Sequence, residues 1–218
     1  MKFTPDEQAA QLRKPQGEGA VHIMEYMNRG NQILYPKALE ALHLKPNMQV
    51  LELGQGNGPL VYLILAGALG VRYTGLDYSP DSVRLANEKN MEFVQNKTAI
   101  FHEGVISNMP FENNSFDRVL GINIIYFLEN TTKEIGEMFR VLKPGGLLVL
   151  GYRPKDKLSK MPFTQKGFIH YHPRDLENVL RKNGFQNVVS TRFPEPDRII
   201  DGQRFTMDSV VTAATKPV

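Results

Sequence analysis

The chain has no cysteine and no tryptophan among its 218 residues. Without cysteine there are no disulfides, no thiolate metal ligands and no sulfur nucleophile. Charge of one sign is also scarce, since Lys plus Arg number 26 against 23 Asp plus Glu. That balance gives no footprint for a nucleic-acid partner, and none is expected. No apolar run approaches the roughly 20 residues a membrane-spanning helix needs, so no span is expected. The opening stretch MKFTPDEQAAQLRKPQGEGA carries no apolar signal core, which points to the cytoplasm. What remains is ordinary globular composition, 41% hydrophobic and 22% charged, enough for one α/β domain with decorations.

Short apolar, β-branched runs bounded by turn residues recur at 49–53, 71–77, 98–104, 116–123 and 147–153. Between them lie segments of helical period. One at 59–70 follows Pro59, one at 80–95 follows Ser79 as N-cap, and one at 131–142 follows Asn130. The alternation predicts a mostly parallel sheet covered on both faces, a three-layer α/β sandwich. A further helix at 173–183 precedes two runs, 187–193 and 209–215, that no helix separates. They are expected to pair as an antiparallel ribbon and bring the sheet to seven strands. Ahead of the sheet, Val21, Met24 and Met27, then Leu39 and Leu42, fall at helical spacing, the second helix starting within a turn of Pro36.

The strand ending in Glu52 runs into Gly54-Gln55-Gly56-Asn57-Gly58 and then a helix. Backbone amides and a helix start thus meet any ligand in the crevice at the strand's carboxyl end. A nicotinamide or flavin fingerprint needs a third glycine where Pro59 stands, and a phosphate-binding Walker loop needs a G-K-[ST] ending that is missing. The second strand ends in Asp77, a double acceptor suited to vicinal ribose hydroxyls and equally to the turn before Ser79-Pro80. Tyr78 follows, placed to lie against an adenine.

Taken together, four stretches resemble the class I, Rossmann-like S-adenosylmethionine-dependent methyltransferases, in particular the quinone and small-molecule (methyltransferase type 11) subgroup. They are Glu52 to Gly58, Gly75-Leu76-Asp77-Tyr78-Ser79-Pro80, Met109-Pro110-Phe111 with Ser115-Phe116-Asp117, and Arg140-Val141-Leu142-Lys143-Pro144-Gly145-Gly146. The resemblance covers about residues 48–153. It implies S-adenosylmethionine as cofactor and S-adenosylhomocysteine as product. Gly54, Gln55 and Gly56 would approach the methionine part and Asp77 the ribose, with the Ile106 backbone facing the adenine. Glu52, Gly58, Tyr78, Val105 and Asn123 complete the expected cofactor set. One position departs from the pattern: the acidic residue usual after Gly104 is Val105, which leaves Ser107, Asn108 or water to meet the adenine amino group. The division implied is a helical cap over 1–45 and a methyltransferase domain over 46–218.

Methyl transfer from a sulfonium needs alignment and exclusion of water more than a strong catalytic motif. If the acceptor is a hydroxyl or carbon acid, His170 and His172, between the fifth strand and the 173 helix, are the first candidates for a base. Tyr126 is another, with core packing as its other reading. The missing cysteine excludes covalent C5 methylation of pyrimidines. Asn123-Ile124-Ile125-Tyr126 lacks the prolines of the amino-methylating motif, and neutral Asn123 disfavours a metal site, so none is expected.

Arg153, Lys155, Lys157, Lys160 and Lys166 crowd the 153–172 loop, either as a solvated basic surface or as a lid over an anionic substrate. The leading expectation is transfer to a small-molecule acceptor, anionic or aromatic. The alternatives are an RNA or protein methyltransferase and a non-catalytic S-adenosylmethionine-binding module. Residues 20–35, with Met24, Met27, Asn28 and Arg29, are expected to cover the crevice. Nothing in the sequence sets the oligomeric state.

Overall fold

Successive residues of the central strands feed opposite faces of one sheet. Val50 and Val149 join one apolar cluster while Leu51, Leu148 and Leu150 join another. In this computed structural model, which describes residues 3–200 and 202–218, the strands are β1 (Gln49–Leu53), β2 (Arg72–Asp77), β3 (Ala99–Glu103), β4 (Phe116–Ile122), β5 (Leu142–Tyr152), β6 (Gln186–Ile200) and β7 (Gln203–Thr215). Their order is β3-β2-β1-β4-β5-β7-β6. The first five pair in parallel, and β7 lies antiparallel to both β5 and β6. This is the expected seven-stranded, three-layer sandwich.

The helices are α1 (Pro5–Arg13), α2 (Gly19–Gly30), α3 (Leu34–Ala41), α4 (Val61–Ala66), α5 (Pro80–Lys89), α6 (Met91–Gln95), α7 (Thr131–Val141), α8 (Lys155–Leu158) and α9 (Pro173–Lys182). On one face α3, α4 and α5 bury Leu34, Ile64 and Ala86. On the other α7 and α9 bury Met138, Leu176 and Leu180. Because the chain steps outward from β1 to β3 and then returns to place β4 against β1, the sheet has its switch point at the carboxyl ends of β1 and β4. A crevice opens there. Among the described residues no helix is long and apolar enough to cross a membrane.

Four elements differ from the sequence expectation. The 59–70 helix shrinks to α4, because Pro59 and Leu60 stay in the turn and Gly67, whose Cβ would stand 2.5 Å from Leu44 Cδ1, ends it. The 80–95 helix breaks at Asn90, whose side-chain amide donates to the carbonyls of Ala86 (3.0 Å) and Gly58 (3.3 Å). The opening polar stretch holds α1, closed at its start by a reciprocal Thr4–Glu7 capping box with Pro5 at the first position. The ribbon is far longer than two short runs. Pro194 and Pro196 are accommodated because β6 is an edge strand with a register shift between Glu195 and Arg198.

Candidate active site

The glycine loop begins where β1 ends. Gly54 donates its N–H to the Leu76 carbonyl (2.8 Å) at a φ of +65°, and a Cβ there would lie 2.6 Å from Ile124 Cγ2. Only glycine satisfies both demands. Gly56, at φ +56°, has nothing within 4 Å of the place a Cβ would take, so its backbone lies open. Gly58 is set back, its N–H closing the turn onto the Gln55 carbonyl (2.9 Å).

Gln55 is buried and lines the crevice, and neither polar atom of its amide has a partner within the protein. A buried amide left so costs about 1–3 kcal/mol, which a ligand with complementary polar groups removes.

Two carboxylates stand beside this loop. Asp77 accepts from the N–H groups of Gly56 (3.0 Å) and Ser79 (2.9 Å), so it serves the turn and braces the glycine loop while still facing the crevice. Burial pushes its pKa up to about 6, against the pull of those two amides. Glu52 accepts from the Tyr73 hydroxyl (2.6 Å), and burial pushes it up to about 7. Both groups thus titrate near neutrality, where a cationic ligand favours their ionised forms. Tyr78 lines the crevice, its hydroxyl donating to the Arg13 carbonyl (2.6 Å). Val105, Ile106 and Ser107 form the opposite lip.

Asn123 sits past the end of β4 at φ +57°, a conformation asparagine tolerates. Its amide donates to Asn31 Oδ1 (2.9 Å) and its carbonyl oxygen accepts from the Tyr126 hydroxyl (3.0 Å). The Tyr126 hydroxyl also accepts the Arg153 N–H (2.5 Å), and burial raises its pKa well above that of a free phenol.

Beyond Tyr126 the same cavity, of about 300 Å³, continues into an aromatic chamber. Phe127 meets Phe168 edge-on at 4.8 Å between centroids, and Phe163, Met161 and Met207 extend the wall. Two guanidinium groups, of Arg153 and Arg198, reach its polar end. Met207, Arg198 and Phe168 were not legible as site residues, because the segment carrying the first two read as a connector.

The helices before β1 supply the cover. Leu12, Met24, Met27 and Asn28 line the cavity, and Asn28 Nδ2 donates to Asn57 Oδ1 (3.1 Å) across it. The Ser79 hydroxyl donates to the Pro15 carbonyl and the Gly17 N–H to the Asp81 carboxylate (2.8 Å), tying this segment to the start of α5, and Arg13 pairs with Glu129. Arg29 instead lies outside, exposed beside Glu25 (3.8 Å). The basic loop also faces away: Lys157 pairs with Asp208 (3.4 Å) and Lys166 with Asp6 (2.7 Å), and of its five cations Arg153 alone lines the cavity.

Neither histidine is on the cavity wall. His172 precedes α9 and faces a separate groove with Glu177 and Arg192. His170 stacks on Phe168 at 6.4 Å, with a buried, unpartnered Nε2. Burial and the nearby Lys155 lower its pKa.

Comparison with known proteins agrees with this geometry. Residues 51–150 match the family model described as a methyltransferase domain. The chain is 33% identical over 126 residues to erythromycin 3''-O-methyltransferase of Saccharopolyspora erythraea, covering 57% of this chain and 41% of that one. It therefore spans about two fifths of that relative's length. An uncharacterized protein of Methanocaldococcus jannaschii is 28% identical over 181 residues, 78% of this chain and 81% of its own.

In fold, the chain superposes with a TM-score of 0.77 at 18% identity on a chain from the complex between the Haloferax volcanii Trm112 methyltransferase activator and a methyltransferase, covering 99% of this chain and 100% of that one. The open Gly56 backbone, the unpartnered Gln55 amide and the Asp77 carboxylate fit S-adenosylmethionine, with Glu52 beside them. Residues 51–150 thus form a methyltransferase domain of the class I, Rossmann-like S-adenosylmethionine-dependent kind.

Proposed function

We propose that the protein transfers the sulfonium methyl of S-adenosylmethionine to a small-molecule acceptor seated in the aromatic chamber. The observation that carries this reading is the continuity of the cavity, which runs from the glycine loop past Asn123 and Tyr126 to Phe127, Phe168 and Met207. A cofactor on the loop and an acceptor against the rings would share one water-excluding space, which is what in-line displacement requires.

The sulfonium supplies an already activated methyl group. The chain's own part is to bind and align. Gly54, Gln55 and Gly56 receive the methionine portion, and Asp77 takes the ribose hydroxyls with lone pairs its backbone donors leave free. The Tyr78 ring and the Val105–Ser107 lip flank the adenine. Tyr126 acts as a positioning residue, since its hydroxyl is committed to Asn123 and Arg153 and its raised pKa keeps it protonated at neutral pH.

His170 is the better placed of the two histidines for a base. Burial and Lys155 lower its pKa, and it stands one ring behind the wall at Phe168, so it reaches an acceptor only where that ring moves aside. His172 lies exposed in the separate groove, at the N-cap position of α9 but with no side-chain capping bond. An extract of small metabolites incubated with methyl-labelled cofactor tests the reading. Label is expected in the low-mass fraction; label confined to RNA or protein would overturn the small-molecule assignment.

A further inference from the structure

The polar end of the acceptor chamber carries more positive than negative charge, and the excess is buried. Arg153 follows β5, with a side chain only 8% exposed, and Arg198 reaches in from β6 at 23%. Both guanidinium groups donate to one acceptor, the Gly30 carbonyl at the end of α2, at 2.6 and 2.8 Å. One carboxylate, Glu195, lies between them, bound by Arg153 (3.0 and 3.1 Å) and 3.6 Å from Arg198. It also accepts the Ser209 hydroxyl. Two fixed cations thus share a single carboxylate.

The carboxylates on the cavity wall itself are already committed. Asp77 is held by two amides, Glu129 by Arg13 and Glu134 by the Asn130 N–H. Glu52 answers to burial, to Tyr73 and to Asp77, with neither arginine among the groups that set its ionisation. A second observation points the same way: Nε of Arg153 is buried with no partner in the protein. Guanidinium groups stay charged, so a half-compensated pair in an apolar chamber costs free energy that an incoming anion would return. The desolvation that lowers the Arg198 pKa, helped by Arg153, is the same cost seen from the titration side.

We propose that Arg198 and the unpartnered Nε of Arg153 form a subsite for an oxyanion, carboxylate or phosphate, carried by the methyl acceptor. The inference rests on the methyl-transfer reading above and adds the acceptor's charge to it. The rings of Tyr126, Phe127 and Phe168 hold the body of the acceptor, and the guanidinium pair fixes its orientation by a charged, directional contact. Arg198 then acts as a specificity-determining residue.

The test uses the full chain saturated with S-adenosylhomocysteine and three probes of similar shape: benzoate, phenyl phosphate and neutral benzamide. Calorimetry is expected to show at least one anion binding about tenfold or more tightly than benzamide, with the preference weakening as salt rises. A lead for benzoate assigns a carboxylate and a lead for phenyl phosphate a phosphate. Arg198→Met should erase the preference and Arg198→Lys retain part of it, with S-adenosylhomocysteine affinity unchanged in both, which shows that the fold and cofactor site survive. Equal binding of benzamide and both anions, or an anion preference that persists in Arg198→Met, overturns the subsite while leaving methyl transfer standing. Failure of the wild-type chain to bind S-adenosylhomocysteine overturns both readings.

Discussion

The two halves of the cavity are built on different principles. The cofactor half is local: Glu52 to Asn57 and Asp77 to Tyr78 are short contiguous stretches at the ends of neighbouring strands, and much of their binding surface is backbone. The acceptor half is assembled from side chains on distant segments, with Asn31 after α2, Tyr126 after β4, Arg153 after β5, Phe168 in the following loop, and Arg198 and Met207 on the β6–β7 ribbon. A half made of backbone is set by where glycine and strand ends fall. A half made of converging side chains is set by tertiary packing, so changes to either should leave the other's ligand largely untouched.

The sharpest break between the halves is expected at Arg153. Replacing it with methionine leaves Glu195, only 4% exposed, with Arg198 at 3.6 Å as its remaining cation. Removing one partner of a buried pair costs about 3–5 kcal/mol. Denaturant unfolding should register a loss toward the lower end, because Arg198 compensates in part, and Arg153→Met with Glu195→Gln together should recover some of it. An unchanged midpoint for the single variant would mean that the pair contributes nothing.

From the cofactor side, S-adenosylhomocysteine at a hundredfold excess over its dissociation constant should stabilise the fold by about 2.7 kcal/mol, read as a rise in melting temperature. NAD should give no shift, since Pro59 occupies the third glycine position of a dinucleotide loop. A shift with NAD alone would remove the cofactor assignment.

The pH dependence should separate the halves further. Glu52 and Asp77 have folded values of about 7 and about 6 against ordinary values of 4.5 and 3.8, so the folded protein holds more protons than the unfolded chain between about pH 4 and 7. Their contribution to stability is therefore fully present below about pH 4 and lost as pH rises through that window. Cationic S-adenosylmethionine favours the ionised carboxylates, so its affinity should climb with pH, by at most about tenfold per unit for each proton released, and level off above pH 7. Glu52→Gln should flatten the rise. A flat profile for the unmodified protein would place both carboxylates outside the ligand's field.

Asp77→Ala is expected to cost about 1–3 kcal/mol of cofactor affinity, through lost hydroxyl partners and a loosened Gly56. Calorimetry that finds no change would assign Asp77 to the turn alone.

What the sequence disclosed follows the same division. β1 was legible to the residue, because an apolar strand running into glycines leaves a local signature, and Ser79 and Asn130 cap α5 and α7 as their chemistry demands. The break at Asn90 was not legible, since it depends on the Gly58 carbonyl 32 positions away. Arg198 was hidden for a related reason. Prolines 194 and 196 argue locally against a strand, and only the edge position of β6 makes that strand possible. The capping box before α1 is, by contrast, written in the sequence as Thr4-Pro5-Asp6-Glu7, inside a stretch too polar to show an apolar helical period.

The smallest effect expected concerns the contact that joins the cover to the glycine loop. Asn28 Nδ2 donates to Asn57 Oδ1 at 3.1 Å, and Asn28 Oδ1 accepts from the Tyr35 hydroxyl at 3.3 Å, so one side chain of α2 is fixed between the loop below and α3 behind it. Asn28→Ala removes both bonds from a part-buried position, at a cost of about 0.5–1.5 kcal/mol, or roughly two- to tenfold in an equilibrium constant. If α2 closes after the cofactor has entered, the loss should appear in the dissociation rate of S-adenosylhomocysteine, with association little changed. Stopped-flow displacement measures both. Equal acceleration of association and dissociation would instead make α2 a gate that opens more often without holding the ligand, and unchanged rates would reduce Asn28 to a packing residue of the cover.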